Sequence, residues 1–554
     1  MFIERRFRLW GWLVVLSWCG CATTPPSTIH LEEHLEEDVT EGHVGPGKTA
    51  EKMERGHVVF PHSCEDKAAE HVVDGVVLLH HMTYHLARVQ FQKATVEDPE
   101  CAIAYWGVAA TYHHPVWVDH MNEAERQAGL EALSKGVAAK HTSPRESGYL
   151  QALQNVFEQT GKREQIVAGE SGYAKLHGDF PDDIEAKALH SIYLLSTVPL
   201  SDKSLVVQQR VAKVAEELLE VVPDHPAGHH YLIHACDNVK MAERALVVSR
   251  NYASIAPDNP HTWHMPGHIF TRLGLWIDSI TWNSRSASAA LKMIEHGGLM
   301  HWAHAIDYLS YAFLQRGLDD EIPSLISQMH GRTDYKLDAG ISYALAATPV
   351  RNVLERHAWD EFSQIKSRQP SNYDWQKMPA WEAITYYGIS LAAARAGKID
   401  AAKTAHEKLD ELRKRVSHKY WRSKADNMWR SAHAWILLAQ GKKQKALKEM
   451  RASASADGKL DKHPVTPGDV YATHDLLGDM LMQLGKPKEA LAAYEFTMGH
   501  SPNRFVSIAG AAAAAAKMGN PEVAKRYYRQ LLDQVGPSSK RAELVEARKL
   551  LPKN

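Results

Sequence analysis

The chain has 554 residues, of which 44% are hydrophobic, and a formal net charge of −2. Such a length buries a large core and predicts several domains or one repeat array, while the near-balanced charge excludes the electrostatic footprint of a nucleic-acid or anionic-membrane partner. Histidine is the outlier at 33 residues, many of them clustered.

In chain order, "MFIERRFRLWGWLVVLSWCGCATTPP" comes first, with Arg5, Arg6 and Arg8 ahead of a short apolar run from Leu9 to Trp18. The run is too short to span a bilayer and reads as a secretory leader. Gly20-Cys21-Ala22 resembles the end of a bacterial lipoprotein signal. The resemblance implies cleavage after residue 21's neighbour Gly20, lipid on Cys21, and a place in the cell envelope, at the outer membrane or facing the periplasm. Trp18 and Cys19 depart from the small or aliphatic residues usual there, which leaves a secreted soluble form or an uncleaved anchor as alternatives. The expected organisation is a signal at 1–21, a flexible tether at 22–56 rich in Pro and Gly, His-rich repeats at 57–335 and more regular repeats at 336–554. An oxidising compartment permits a disulfide, and Cys64 and Cys101, which flank the first helical hairpin, are its expected partners. Cys236 is read as a core thiol or a soft metal ligand.

From about residue 65 apolar stripes recur at helical spacing and few stretches alternate as strands do. "LGDMLMQLGKPKEALAAYEFTMGHSPN" reads as helix, Gly turn, helix and closing Pro, and resembles a tetratricopeptide repeat (TPR). The next unit follows 34 residues on, with Gly519 after Gly485 and Ala524 after Ala490. Trp263, Gly267, Phe270, Leu273 and Gly274 fit the same template, as do Pro99, Tyr105 and Tyr112, and further Gly turns stand at Gly317, Gly397 and Gly441. The resemblance covers most of the chain and implies an all-α superhelical solenoid of helix-turn-helix repeats with a concave groove. A narrower set, "LLHHMTY", "HPAGHHYLIHA", "HMPGHIFTRLGLW" and "HAIDYLSYAFLQ", resembles a group of uncharacterised exported bacterial repeat proteins, and implies no activity.

The histidines fall on a grid. His230 and His234 are four apart, and His264 and His268 repeat them 34 residues later. His261, His264 and His268 form one stripe; His304, Asp307 and Tyr311 form another when Gly274 is aligned with Gly317, a shift of 43 residues. Imidazoles from neighbouring helices about 8–10 Å apart can meet at one point. His230, His234, His264, His268, His304 and Asp307 therefore form a candidate site for Zn, Cu or Fe. His234 and His268 are its expected central pair, His261 its edge, and Pro266 is expected to disturb the His264–His268 geometry. His80 and His114, also 34 apart, join His261 and Tyr311 as groove-lining residues.

Three functions remain open at this level: a metal-binding solenoid that also holds a partner or ligand, a metal-free scaffold for a protein or peptide partner, and a metal-dependent enzyme of unstated reaction. Groove histidines acting as a pH switch are a further alternative. The sequence carries no phosphate-binding loop, nucleophile elbow or HExxH motif.

Overall fold

The computed structural model describes residues 55–117, 121–199 and 202–551. The leader, Cys21 and nearly all of the 22–56 stretch lie outside the described residues.

Among the described residues there are 25 α-helices and no strand. The first are α1 (Asp66–His80), α2 (Tyr84–Glu97), α3 (Ala102–Ala110), α4 (Glu123–Ala138), α5 (Pro144–Phe157), α6 (Lys162–Asp179), α7 (Ile184–Ser196) and α8 (Val206–Val221). Then come α9 (Pro226–Cys236), α10 (Leu246–Ile255), α11 (Pro260–His264), α12 (Pro266–Leu273), α13 (Trp276–Leu291) and α14 (Gly298–Gln315). The rest are α15 (Ile322–Gly331), α16 (Ala339–Leu354), α17 (Pro379–Arg395), α18 (Ile399–Arg415), α19 (Lys419–Ala439) and α20 (Lys443–Asp457). The chain ends with α21 (Thr473–Gln483), α22 (Pro487–Met498), α23 (Phe505–Lys517), α24 (Pro521–Gln534) and α25 (Glu543–Leu550). No helix among the described residues is long and apolar enough to cross a membrane.

Consecutive helices pack as hairpins, and each hairpin stacks on the next, giving an all-α superhelical solenoid of TPR-like repeats. The turns end on left-handed glycines; Gly274, Gly485 and Gly519 have φ of 68°, 72° and 73°. Tight stacking depends on one aromatic ring held between two glycines. Tyr494 of α22 lies between Gly478 and Gly510, where an added Cβ would come within 2.6 and 2.4 Å of the ring. Phe91 of α2 sits in the same way between Gly75 and Gly107.

The superhelix curls back on itself twice. At the N-terminal side, the end of α1 reaches the helices around α9: Asn259 Nδ2 donates to Thr83 Oγ1 at 2.8 Å, and His80 lies between Glu185 Oε2 (2.7 Å) and Tyr231 Oη (2.9 Å). At the C-terminal side, Trp276 Nε1 donates to the Asn503 carbonyl at 2.7 Å, and Arg504 bonds Tyr311 and forms ion pairs with Asp475 and Glu355. Two irregular segments pack across these coils. Residues 55–65 lie along α5 and α7, with Ser63 Oγ on Glu146 at 2.6 Å and Val59 N on Glu185 at 3.2 Å. Residues 459–472, between α20 and α21, cross the other coil. Cys64 and Cys101 are joined by a disulfide, Cα–Cα 4.8 Å, which ties the first of these segments to α3. Cys236 is a free thiol buried among Val211, Ala212 and Ile233; burial pushes it up to about 12, as befits a core group.

Candidate metal centre

The histidines gather where the two coils meet, on α9, α11, α12 and α14. His230, His261, His264, His268 and His301 are buried, while His234 and His304 keep partial exposure. One ligand nitrogen each from His264, His268 and His304 lies within 4.8 Å of the others. The His264 and His304 ring centroids are 4.2 Å apart.

The orientations of His264 and His268 are fixed from outside. Asn283 Nδ2 donates to the Ser279 carbonyl at 2.8 Å, so its Oδ1 is the atom that faces His264 Nδ1 at 2.9 Å. His264 Nδ1 therefore donates. Gly267 permits this approach, since a Cβ there would stand 2.7 Å from Asn283 Nδ2. His268 Nδ1 lies 3.0 Å from Asp237 Oδ2. Asp237 also receives Arg272 Nε at 2.8 Å and Lys462 Nζ at 3.1 Å. Burial pushes its carboxyl up, but Lys462, Arg272 and His268 outweigh that and hold it well below the usual range. An ionised carboxylate only accepts, so His268 Nδ1 donates. Both Nε2 atoms are left with lone pairs, and they face each other at 3.1 Å.

Two buried lone pairs at that distance repel unless a cation lies between them. A tetrahedral ion with metal–nitrogen bonds of about 2.0–2.1 Å sets two ligand nitrogens about 3.3 Å apart, close to what is seen. Burial, reinforced by the neighbouring imidazoles, holds His264 well below its ordinary value, and burial lowers His268 against the pull of Asp237. The imidazoles are thus kept neutral, the form that ligates metal. Asp237 and Asn283 stand where orienting partners of metal-bound histidines stand.

The site differs from the sequence expectation in several residues. Asp307 is not among the histidines: it is enclosed with Arg351, to which it is ion-paired. Tyr311 sits one turn beyond the site, its Oη accepting from Arg504 at 2.9 Å. Tyr308 takes its place, with ring centroids 4.8 and 5.1 Å from His264 and His268. His80 does not line an open groove but is locked between Glu185 and Tyr231, and His114 stacks on Tyr84 at 3.9 Å. His261 is central rather than peripheral, its Nε2 3.2 Å from that of His230. The ring nitrogens of His264 and His268 approach to 3.1 Å although Pro266 starts a new helix; Met265 keeps helical angles (φ −55°, ψ −39°), so the two rings still share a face. His234 and His268 are further apart, at 6.3 Å between centroids.

Sequence reading missed Asp237, Asn283, His301, Tyr308, Arg272 and Lys462. His301, His304 and Tyr308 repeat the spacing of His261, His264 and His268, and Asp237 extends the stripe of His230 and His234; both signals were present in the spacing. Lys462 carried none, because it arrives on the irregular segment. That segment covers the centre: Asp461 pairs with Arg272 at 3.0 Å, and the Tyr308 hydroxyl reaches the carbonyls of Pro464 and Thr466, each at 3.0 Å.

No protein-family model and no curated protein matches the sequence. Solved structures similar to it include the APC/C hetero-tetramer Cut9–Hcn1, at 12% identity over 87% of this chain and 76% of that one, with a TM-score of 0.34. The human IFIT1 dimer with m7Gppp-AAAA is similar at 13% identity over 82% of this chain and 94% of that one, TM-score 0.35. Yeast Tom70 is similar at 11% identity over 87% and 95%, TM-score 0.33.

Proposed function

We propose that this protein is a helical-repeat metalloprotein that binds a transition metal, Zn, Cu or Fe, through His264, His268 and His304. The observation that carries the reading is the 3.1 Å approach of the His264 and His268 Nε2 atoms while both Nδ1 atoms are committed to Asn283 and Asp237. Three imidazoles leave coordination positions for water or another ligand, as in catalytic rather than closed structural sites. A metal-dependent reaction is therefore the extension of this reading, with Tyr308 and Lys462 beside the centre.

The repeat surface also suits a protein or peptide partner, an inference from architecture alone. Residues 459–472 already occupy the groove over the histidines, so such a partner meets the solenoid elsewhere. We place the protein in a bacterial envelope, tethered by lipid on Cys21; the Cys64–Cys101 disulfide supports an oxidising compartment. Sedimentation with membranes that survives Cys21→Ser refutes the tether.

The metal reading is tested on protein purified without a histidine tag. Elemental analysis is expected to find a first-row metal, and a chelator, by removing an ion bound only to the folded state, to lower the melting temperature. His264→Ala is expected to abolish both. Wild type that holds no metal, and whose melting is unmoved by added Zn, Cu or Fe, refutes the site.

A further inference from the structure

Three further histidines of the cluster, His230, His234 and His261, pose a related problem. His230 Nδ1 lies 2.7 Å from the carbonyl oxygen of His80. A carbonyl only accepts, so this nitrogen carries the proton and His230 Nε2 presents a lone pair. The Nε2 of His261 stands 3.2 Å from it. With its proton on Nε2, His261 bonds His230 but leaves Nδ1, which is buried without a partner, as an orphaned acceptor. With its proton on Nδ1, that N–H is orphaned and two lone pairs face each other. Neither tautomer satisfies both nitrogens, and buried polar groups in folded proteins are rarely left so.

His234 follows one turn after His230 on α9, with ring centroids 4.7 Å apart. Its Nε2 is also buried without a partner. His230 and His261 centroids are 4.9 Å apart. A rotation of the His234 ring about its χ2 torsion is what brings that nitrogen to the other two. His234 and His261 thus each carry a buried nitrogen without a partner, next to the Nε2 lone pair of His230, with no carboxylate hydrogen-bonded to any of the three.

We infer that His230, His234 and His261 hold a second transition-metal ion, of the imidazole-preferring kind that includes Zn(II) and Cu(II), so that the centre is binuclear. The inference rests on the assignment of the first ion to His264, His268 and His304. The two trios adjoin: His261 and His264 centroids are 6.1 Å apart, and those of His234 and His268 6.3 Å.

The test is titration of Zn(II) into the chelator-treated full chain, followed by gel filtration and elemental analysis. Wild type is expected to retain two ions. His230→Asn keeps an N–H for the His80 carbonyl but removes the ligating nitrogen, and is expected to retain one; so is His264→Asn, which removes the other. Circular dichroism of each metal-free variant establishes that it is folded. Wild type with one ion, lost in His264→Asn but kept in His230→Asn, overturns the second site and leaves the first standing. Wild type with none overturns both. Two ions retained by His230→Asn overturn the ligand assignment. Should that variant unfold, anomalous diffraction from zinc-soaked wild-type crystals decides: a peak against each trio supports the binuclear centre, and a single peak overturns it.

Discussion

Asp237 and Asp307 are both enclosed carboxylates near the histidines, neutralised by different cations. Asp237 takes Arg272 and Lys462 and still accepts from His268, whereas Asp307 is occupied by Arg351. The sequence favoured Asp307 because it falls on the right stripe; nothing local revealed Arg351, which lies 44 residues on. Their substitutions separate the two roles. Asp237→Asn is expected to weaken metal binding about 10–100-fold, because His268 loses the acceptor that orients it. Asp307→Asn is expected to leave metal affinity unchanged while destabilising the fold by about 3–5 kcal/mol, since a buried guanidinium loses its counter-charge. Calorimetric zinc titration and thermal melts of the two variants check this; equal loss of affinity in both contradicts it.

At the level of the helix, the stripes were legible and their partners were off by one turn. The repeat of 34 residues pairs His230 with His264, yet His230 meets His261, and His268 meets Asp237, each at a separation of 31. The Gly-to-Gly shift of 43 pairs His264 with Asp307, yet His264 meets His304, His261 meets His301 and His268 meets Tyr308, each at 40. Both interfaces miss by three residues. Neighbouring helices cross at an angle, so positions equivalent in the repeat sit about a turn apart where the helices touch. Spacing therefore identified the face and the chemistry, while the register belonged to packing. Gly267 belongs to this scale, since it lets α12 approach Asn283 of α13. Gly267→Ala is expected to displace Asn283, release His264 Nδ1 and lower metal affinity about 10-fold or more, with helix content retained. Unchanged affinity would show that Asn283 does not orient His264.

Across the whole molecule, repeat architecture and helical content were legible, and closure was not. It depends on contacts between distant positions, such as Arg504 with Glu355, and on residues 459–472 filling the groove. Enclosure has a consequence for pH. Burial lowers His81 and His463 to about 3 and His301 to about 4. Unfolded, each takes a proton below about pH 6.5; folded, it does not until much lower. Stability contributed by these groups is thus complete above about pH 6.5 and falls as pH drops, by about 1.4 kcal/mol per unit for each histidine. Glu185 adds a lower window: burial raises it, but His225 and His80 outweigh this and hold it to about 2, so its contribution is lost between the ordinary carboxylate range and pH 2. Melting temperatures of metal-free protein are expected to fall steeply from pH 6.5 to 4; a flat profile contradicts the burial of neutral imidazoles. Ligation by these imidazoles is examined by X-ray absorption at the metal edge of the protein as purified. The spectrum is expected to show a first shell dominated by nitrogen at about 2.0–2.1 Å with outer-shell scattering from imidazole rings, diminished in His268→Ala. A shell of sulfur or of oxygen alone, or an edge absent from metal-replete protein, would contradict it.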